Sequence, residues 1–111
     1  MISMMLNQAV IEAENILGIP RDRLPREGLR QFLLSKIDEN GQIIERLKEK
    51  YDVIGYLQLE DKIRLGEVPS HPAWEDVILW EQLSIHTAKL RDLVKLIEDG
   101  DDAEYLKGSV R

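Results

Sequence analysis

Two stretches of the chain carry apolar side chains at one shared alternation of four and three, and few folds accommodate that repeat. The first reads Leu33, Ile37, Asn40, Ile44, Leu47, Tyr51; the second reads Leu79, Leu83, His86, Leu90, Leu93, Ile97. In an α-helix this alternation keeps each set on one narrow stripe, the seam of a coiled-coil-like pair. The two stretches are expected to run antiparallel as the arms of a helical hairpin. Leu33 would then lie near Ile97, Ile44 near His86 and Tyr51 near Leu79.

The remaining segments fit around such a hairpin. A helix is expected over 1–17, with Ile2, Leu6, Ala9, Ala13 and Ile16 on one stripe and Gly18 just past its end. A connector over 18–25 holds Pro20 and Pro25, and Pro25 suits the first position of a long helix over 26–51. Gly41 weakens the middle of that helix by about 1 kcal/mol against alanine. A helix–loop–helix break there is the alternative, but the heptad stays in phase on both sides of it. A short helix follows over 55–65, stopped by Gly66, with Leu57 and Ile63 inward and Tyr56 and Leu59 as further inward candidates. The last long helix is expected over 71–99. Ser70 or His71 would supply its cap, Pro72 its first position, and Glu75 and Asp76 the acids that complement its N-terminus. Gly100 would end it, leaving 101–111 as a tail. The expected fold is all-α, one helical domain over 1–111.

Composition bounds the function. The chain of 111 residues is 43% hydrophobic and 32% charged, ordinary for one globular domain and skewed to helix formers. It has no cysteine, which excludes disulfides and thiolate metal sites and points to a cytoplasmic setting. No apolar run approaches the roughly 20 residues that span a bilayer. The first helix lacks the basic start of a signal peptide, and Gln8, Glu12 and Glu14 interrupt it. A formal charge of −6 opposes non-specific binding to nucleic acid or anionic lipid and favours a basic protein as partner.

Catalytic patterns are sparse. His71 and His86 are the only histidines, 15 residues apart, and no HExxH accompanies them. A cap role suits His71, and a hydrogen-bonded core position suits His86. The chain contains no Glu-x-x-Glu of the kind that holds magnesium in helical pyrophosphohydrolases, and no Glu-x-x-His of the di-iron bundles. Glu45 and Glu49 are flanked by Lys48 and Lys50, which suits a salt-bridged surface. No serine sits in a G-x-S-x-G elbow and no glycine-rich loop cradles phosphate. The expectation is a protein that is no enzyme and carries neither metal nor cofactor.

Candidate partner-binding residues are Arg21, Arg23, Arg26, Arg30 and Trp80. The four arginines fall within ten residues of an otherwise acidic chain, and their forks suit carboxylate or phosphate. A solvated or internally paired surface, an acidic protein partner and nucleic acid are all open for them. Trp74 and Trp80 are six residues apart and cannot share a narrow stripe. Trp74 is expected to plug the junction of connector and hairpin. Trp80 is the interface candidate, with burial against the first helix as the alternative. The stripe of that first helix must be covered by its own hairpin or by a second copy, and a homodimer forming a four-helix bundle is the expected assembly.

From Leu24 onward the chain resembles a group of small helical prokaryotic proteins that act as antitoxin-like members of toxin–antitoxin pairs. The residues that carry the likeness are Arg26-Glu27-Gly28-Leu29-Arg30-Gln31-Phe32-Leu33, Leu47-Lys48-Glu49-Lys50-Tyr51-Asp52-Val53 and Leu59-Glu60-Asp61-Lys62-Ile63-Arg64-Leu65-Gly66. His71-Pro72-Ala73-Trp74-Glu75-Asp76 and Trp80-Glu81 complete it. In that group a Lys-Tyr-Gly-Val corner ends the long helix; here Asp52 stands in place of the glycine. The likeness implies a non-enzymatic protein that masks a partner, such as a basic toxin acting on RNA. It assigns no contact residue.

Overall fold

A computed structural model describes residues 2–19 and 23–110, with side chains over 6–19 and 23–100. Four helices follow in order: α1 (Ile2–Leu17), α2 (Arg23–Tyr51), α3 (Tyr56–Arg64) and α4 (Ser70–Val110). The described residues contain no strand. The long helices α2 and α4 form the hairpin, and α3 lies against α4 at its elbow. α2 starts at Arg23, ahead of Pro25, and passes through Gly41 unbroken. His71 is extended (φ −123°, ψ 122°), so regular α4 begins at Pro72 as expected, but the helix continues beyond Gly100.

Three helices end in the same way. In each, a residue one or two past the end turns left-handed and the next N–H reaches back five residues. Gly18 (φ 66°) lets Ile19 donate to the Glu14 carbonyl, and Gly66 (φ 75°) lets Glu67 donate to Lys62. Asp52 adopts φ 53° to let Val53 donate to the Lys48 carbonyl at 3.1 Å. Val53 then turns into the core, and Lys62 Nζ donates to the Tyr51 and Asp52 carbonyls at 3.0 and 3.3 Å. One α3 lysine thereby satisfies the open end of α2.

The apolar core is in two pieces. Leu47, Val53, Leu59, Ala73, Val77 and Trp80 make the elbow piece, with Leu59 fully buried. Leu33, Leu90 and Val94 make the far piece, edged by Leu34, Ile37 and Ile97. Between them lies a polar layer. The buried Asn40 amide donates to Thr87 Oγ1 at 3.1 Å and lies 3.2 Å from His86 Nδ1, an acceptor when the ring proton is on Nε2.

This layer corrects the expected pairing of the arms. Asn40 faces Thr87, Leu33 packs with Val94 and Tyr51 bonds Asp76, a displacement of three residues from the pairing read in the apolar stripes. In the expected pairing Asn40 would oppose Leu90, and a buried amide without a partner costs about 1–3 kcal/mol. The seam on α4 is also rotated by one residue. Trp80, Thr87 and Val94 are buried where Leu79, His86 and Leu93 were expected, and those three are exposed.

The hairpin is tied at both ends. At the elbow, Tyr51 Oη and Lys50 Nζ both donate to Asp76, the latter at 3.0 Å. Burial pushes the Asp76 carboxyl up, but the bonds from Tyr51 and Lys50 outweigh it and hold it below the ordinary carboxylate value. At the far end Arg30 bridges Glu98 of α4 at 3.2 Å and Glu27 at 3.3 Å.

α1 departs from its expected packing. Its half-buried residues are Val10, Ile11, Ala13 and Glu14, and Asn7, Val10, Ile11 and Glu14 line a cavity with Pro25 of α2. Leu6 and Ile16 of the expected stripe are exposed. The radius of gyration is 20.7 Å, against about 13 Å for a compact domain of this length. Much helix surface is therefore left uncovered.

Three outcomes follow from these contacts. Thr87→Val removes one of the two acceptors of the Asn40 amide and lowers unfolding free energy by about 1 kcal/mol in urea titration, while adding Asn40→Leu recovers most of it. A neutral Thr87→Val would contradict the bond. Asp52→Gly relieves the left-handed residue and raises stability by about 0.5–1 kcal/mol, whereas Asp52→Val lowers it; a lower melting temperature for the glycine variant would refute this. Because folding lowers the Asp76 pKa, its contribution is complete above about pH 4 and fades as pH falls through the folded value. The melting gap between wild type and Asp76→Asn should shrink between pH 5 and pH 2, and a constant gap would count against the account.

Candidate interaction surfaces

Ile78-Leu79-Trp80 put three large apolar residues in succession on α4, and successive helical positions point 100° apart. One seam cannot take them all. Trp80 is 3% exposed, turned into the elbow core with its ring edge-on to Tyr56 at 6.5 Å. It is therefore no surface anchor, and it is buried by α2, α3 and α4 residues. Trp74, expected as a plug, is the tryptophan at the surface, 38% exposed. Ala73 takes the buried place beside it.

The residues that the seam rejects form an outer strip. Trp74, Ile78, Ile85 and Leu96 lie along the side of α4 away from α2, with Leu79 and Leu93 at its margin, and all six are exposed. The sequence stripes did not single out Ile78, Ile85 and Leu96. The signal available was the excess of apolar residues on this helix over what one seam can hold.

A second apolar surface sits at the elbow. Ile54, 86% exposed, precedes α3, and Leu57 and Leu65 lie eight residues apart on its outer side with Asp61 between them. Leu57 was expected inward; the buried side of α3 is instead formed by Leu59, with Tyr56 and Ile63 half-buried. Asp52, Asp61 and Glu67 are exposed around these leucines. The cations of this region are engaged: Lys50 by Asp76, Lys62 by backbone carbonyls, and Arg64 by Asp61 at 3.7 Å.

The arginine cluster is dispersed. Arg21 lies outside the described residues. Arg23 is exposed at the start of α2 and lines a small cavity with Gly18, Ile19 and Glu27. Arg26 is half-buried, and Arg30 is committed to Glu27 and Glu98. Among the described residues, Arg23, Arg26 and Arg30 do not share a cavity.

An open groove of about 540 Å³ runs past Gly41 between α2 and α4. Arg46 and Arg91 border it, but so do Asp38 and Glu45, which are bonded to Gln42 at 2.9 Å and Lys48 at 3.0 Å. The charges balance, so the groove selects neither anion nor cation. His71 Nδ1 lies 2.9 Å from Glu75 Oε1 at the start of α4. Among the described residues no three of His, Asp or Glu gather closely enough to hold a metal ion, and no helix is long and apolar enough to cross a membrane.

Comparison with known proteins adds a family and no activity. No curated protein and no solved structure matches the chain. A family model, described as the uncharacterized protein MJ0235 family, matches residues 4–101. The helical hairpin, its elbow and most of α1 fall within that span, and the chain belongs to the uncharacterized protein MJ0235 family.

Proposed function

We propose that this protein is a non-enzymatic interaction module that seizes a basic partner protein at its elbow and masks it, in the manner of an antitoxin. The observation that carries this reading is the exposed trio Ile54, Leu57 and Leu65 set among acidic side chains. Apolar anchors within a charged rim are what a protein-binding hot spot requires. Asp52 and Glu67 at the rim, together with the formal charge of −6, favour a basic partner and speed its approach. The elbow also holds still: the Schellman turn at Asp52, the Lys62 cap and the Tyr51–Asp76 bond fix it before any partner arrives. Pre-organised anchors lose little entropy on binding.

A second reading, a structural or adaptor homodimer with no toxin, draws on the outer strip of α4 rather than the elbow.

Co-expression with a small basic protein encoded beside it tests the first reading. A stable complex is expected in size-exclusion chromatography, weakened by salt as screening shortens to about 3 Å near 1 M. Leu57→Lys and Leu65→Lys should each raise the dissociation constant tenfold or more, with helicity unchanged because both side chains are exposed. Absence of any complex at ~10 μM, or full affinity in both variants, would overturn the reading.

A further inference from the structure

We infer that the outer strip of α4 is a self-association surface, on which a second copy of the chain docks antiparallel about a two-fold axis passing beside Ile85. This inference does not rest on the elbow reading, which uses other residues. Three observations support it.

The strip gathers four large apolar side chains in water, broken by Asp92 seven residues after Ile85. Trp74, Ile78, Ile85 and Leu96 recur along about 33 Å of helix on the side away from α2, with Leu79 and Leu93 at its margin. α1 does not cover them: its half-buried side turns to the start of α2. A helix that is apolar on two sides calls for neighbours on two sides.

The order of residues along the strip is self-complementary only when the copies run antiparallel. With the axis beside Ile85, Trp74 of one copy meets Leu96 of the other and the two Ile85 side chains meet each other, while Ile78 falls opposite Asp92, next to Leu93. Isologous contact of this kind places each residue pair in the interface twice. A parallel pairing would set Lys89 against Lys89 and Glu81 against Glu81.

The charges fit the same axis. Glu81 and Lys89 flank Ile85 at four residues on either side, so the axis brings Glu81 of each copy beside Lys89 of the other. Among the described residues neither makes an ion pair or a side-chain hydrogen bond, although Lys36, Lys48, Lys50 and Arg30 all do. Opposed charges at the edge of an antiparallel helix pair set its direction.

Sedimentation equilibrium of the full chain from about 5 to 100 μM tests this, and the expected mass is twice that of one chain. Ile85→Glu puts two carboxylates at the axis and should give a monomer with unchanged helicity, since Ile85 is 51% exposed in a single copy. Lys89→Glu should weaken association tenfold or more, and Glu81→Lys with Lys89→Glu should restore it. Direction is read by cross-linking, which the absence of native cysteine makes clean. Trp74→Cys mixed with Leu96→Cys should form a mixed disulfide that neither forms alone. A monomer at 100 μM would overturn the proposal and leave the strip to a different protein. So would a dimer that survives Ile85→Glu, or Trp74→Cys chains that cross-link to each other.

Discussion

One buried amide decides how the two arms of this protein meet. Hydrophobic seams attract in any register that brings apolar stripes together, and they differ little in energy between neighbouring registers. Asn40 interrupts the α2 stripe, and its side chain finds Thr87 and His86 only when the arms are set as observed. Shifting by three residues would leave it facing leucine. The remaining ties then fall into place: Arg30 reaches Glu98 at one end, and Tyr51 and Lys50 reach Asp76 at the other. The polar layer lies between two apolar pieces, so it specifies the pairing while they supply the driving force.

Local signals in the sequence were readable because they act within a few residues. Gly18 and Gly66 end helices where left-handed backbone is required, and His71-Pro72 starts α4. The short elbow helix and the continuity of α2 through Gly41 were legible for the same reason. The register was not, because α4 carries two adjacent apolar stripes and hydrophobicity alone does not rank them. Matching polar residues would have done so, since Asn40 needs Thr87. Trp80 illustrates the cost of choosing the wrong stripe: taken for an interface residue, it is part of the elbow core. The arginine cluster looked like a site because its members are close in sequence, yet Arg30 spends its fork on Glu27 and Glu98.

The same choice of stripe shapes what the surface offers. By turning Trp80, Thr87 and Val94 inward, the seam leaves Ile78, Ile85 and Leu96 outward. By turning Leu59 inward, α3 leaves Leu57 and Leu65 outward beside acidic neighbours. The interaction role proposed for the elbow and the self-association inferred for α4 thus draw on distinct leftovers of one packing solution. Neither requires a titratable group to do chemistry, and the Tyr51–Lys50–Asp76 cluster is accounted for by the fold it ties together.

The most direct test of the pairing is a nuclear Overhauser spectrum of the isotope-labelled chain. The Asn40 side-chain amide protons should show cross-peaks to the Thr87 methyl group, and the Leu33 methyls to those of Val94. Cross-peaks from the Asn40 amide to Leu90 methyls, with Ile44 close to the His86 ring, would contradict the account and restore the register that the leucine stripes alone suggest.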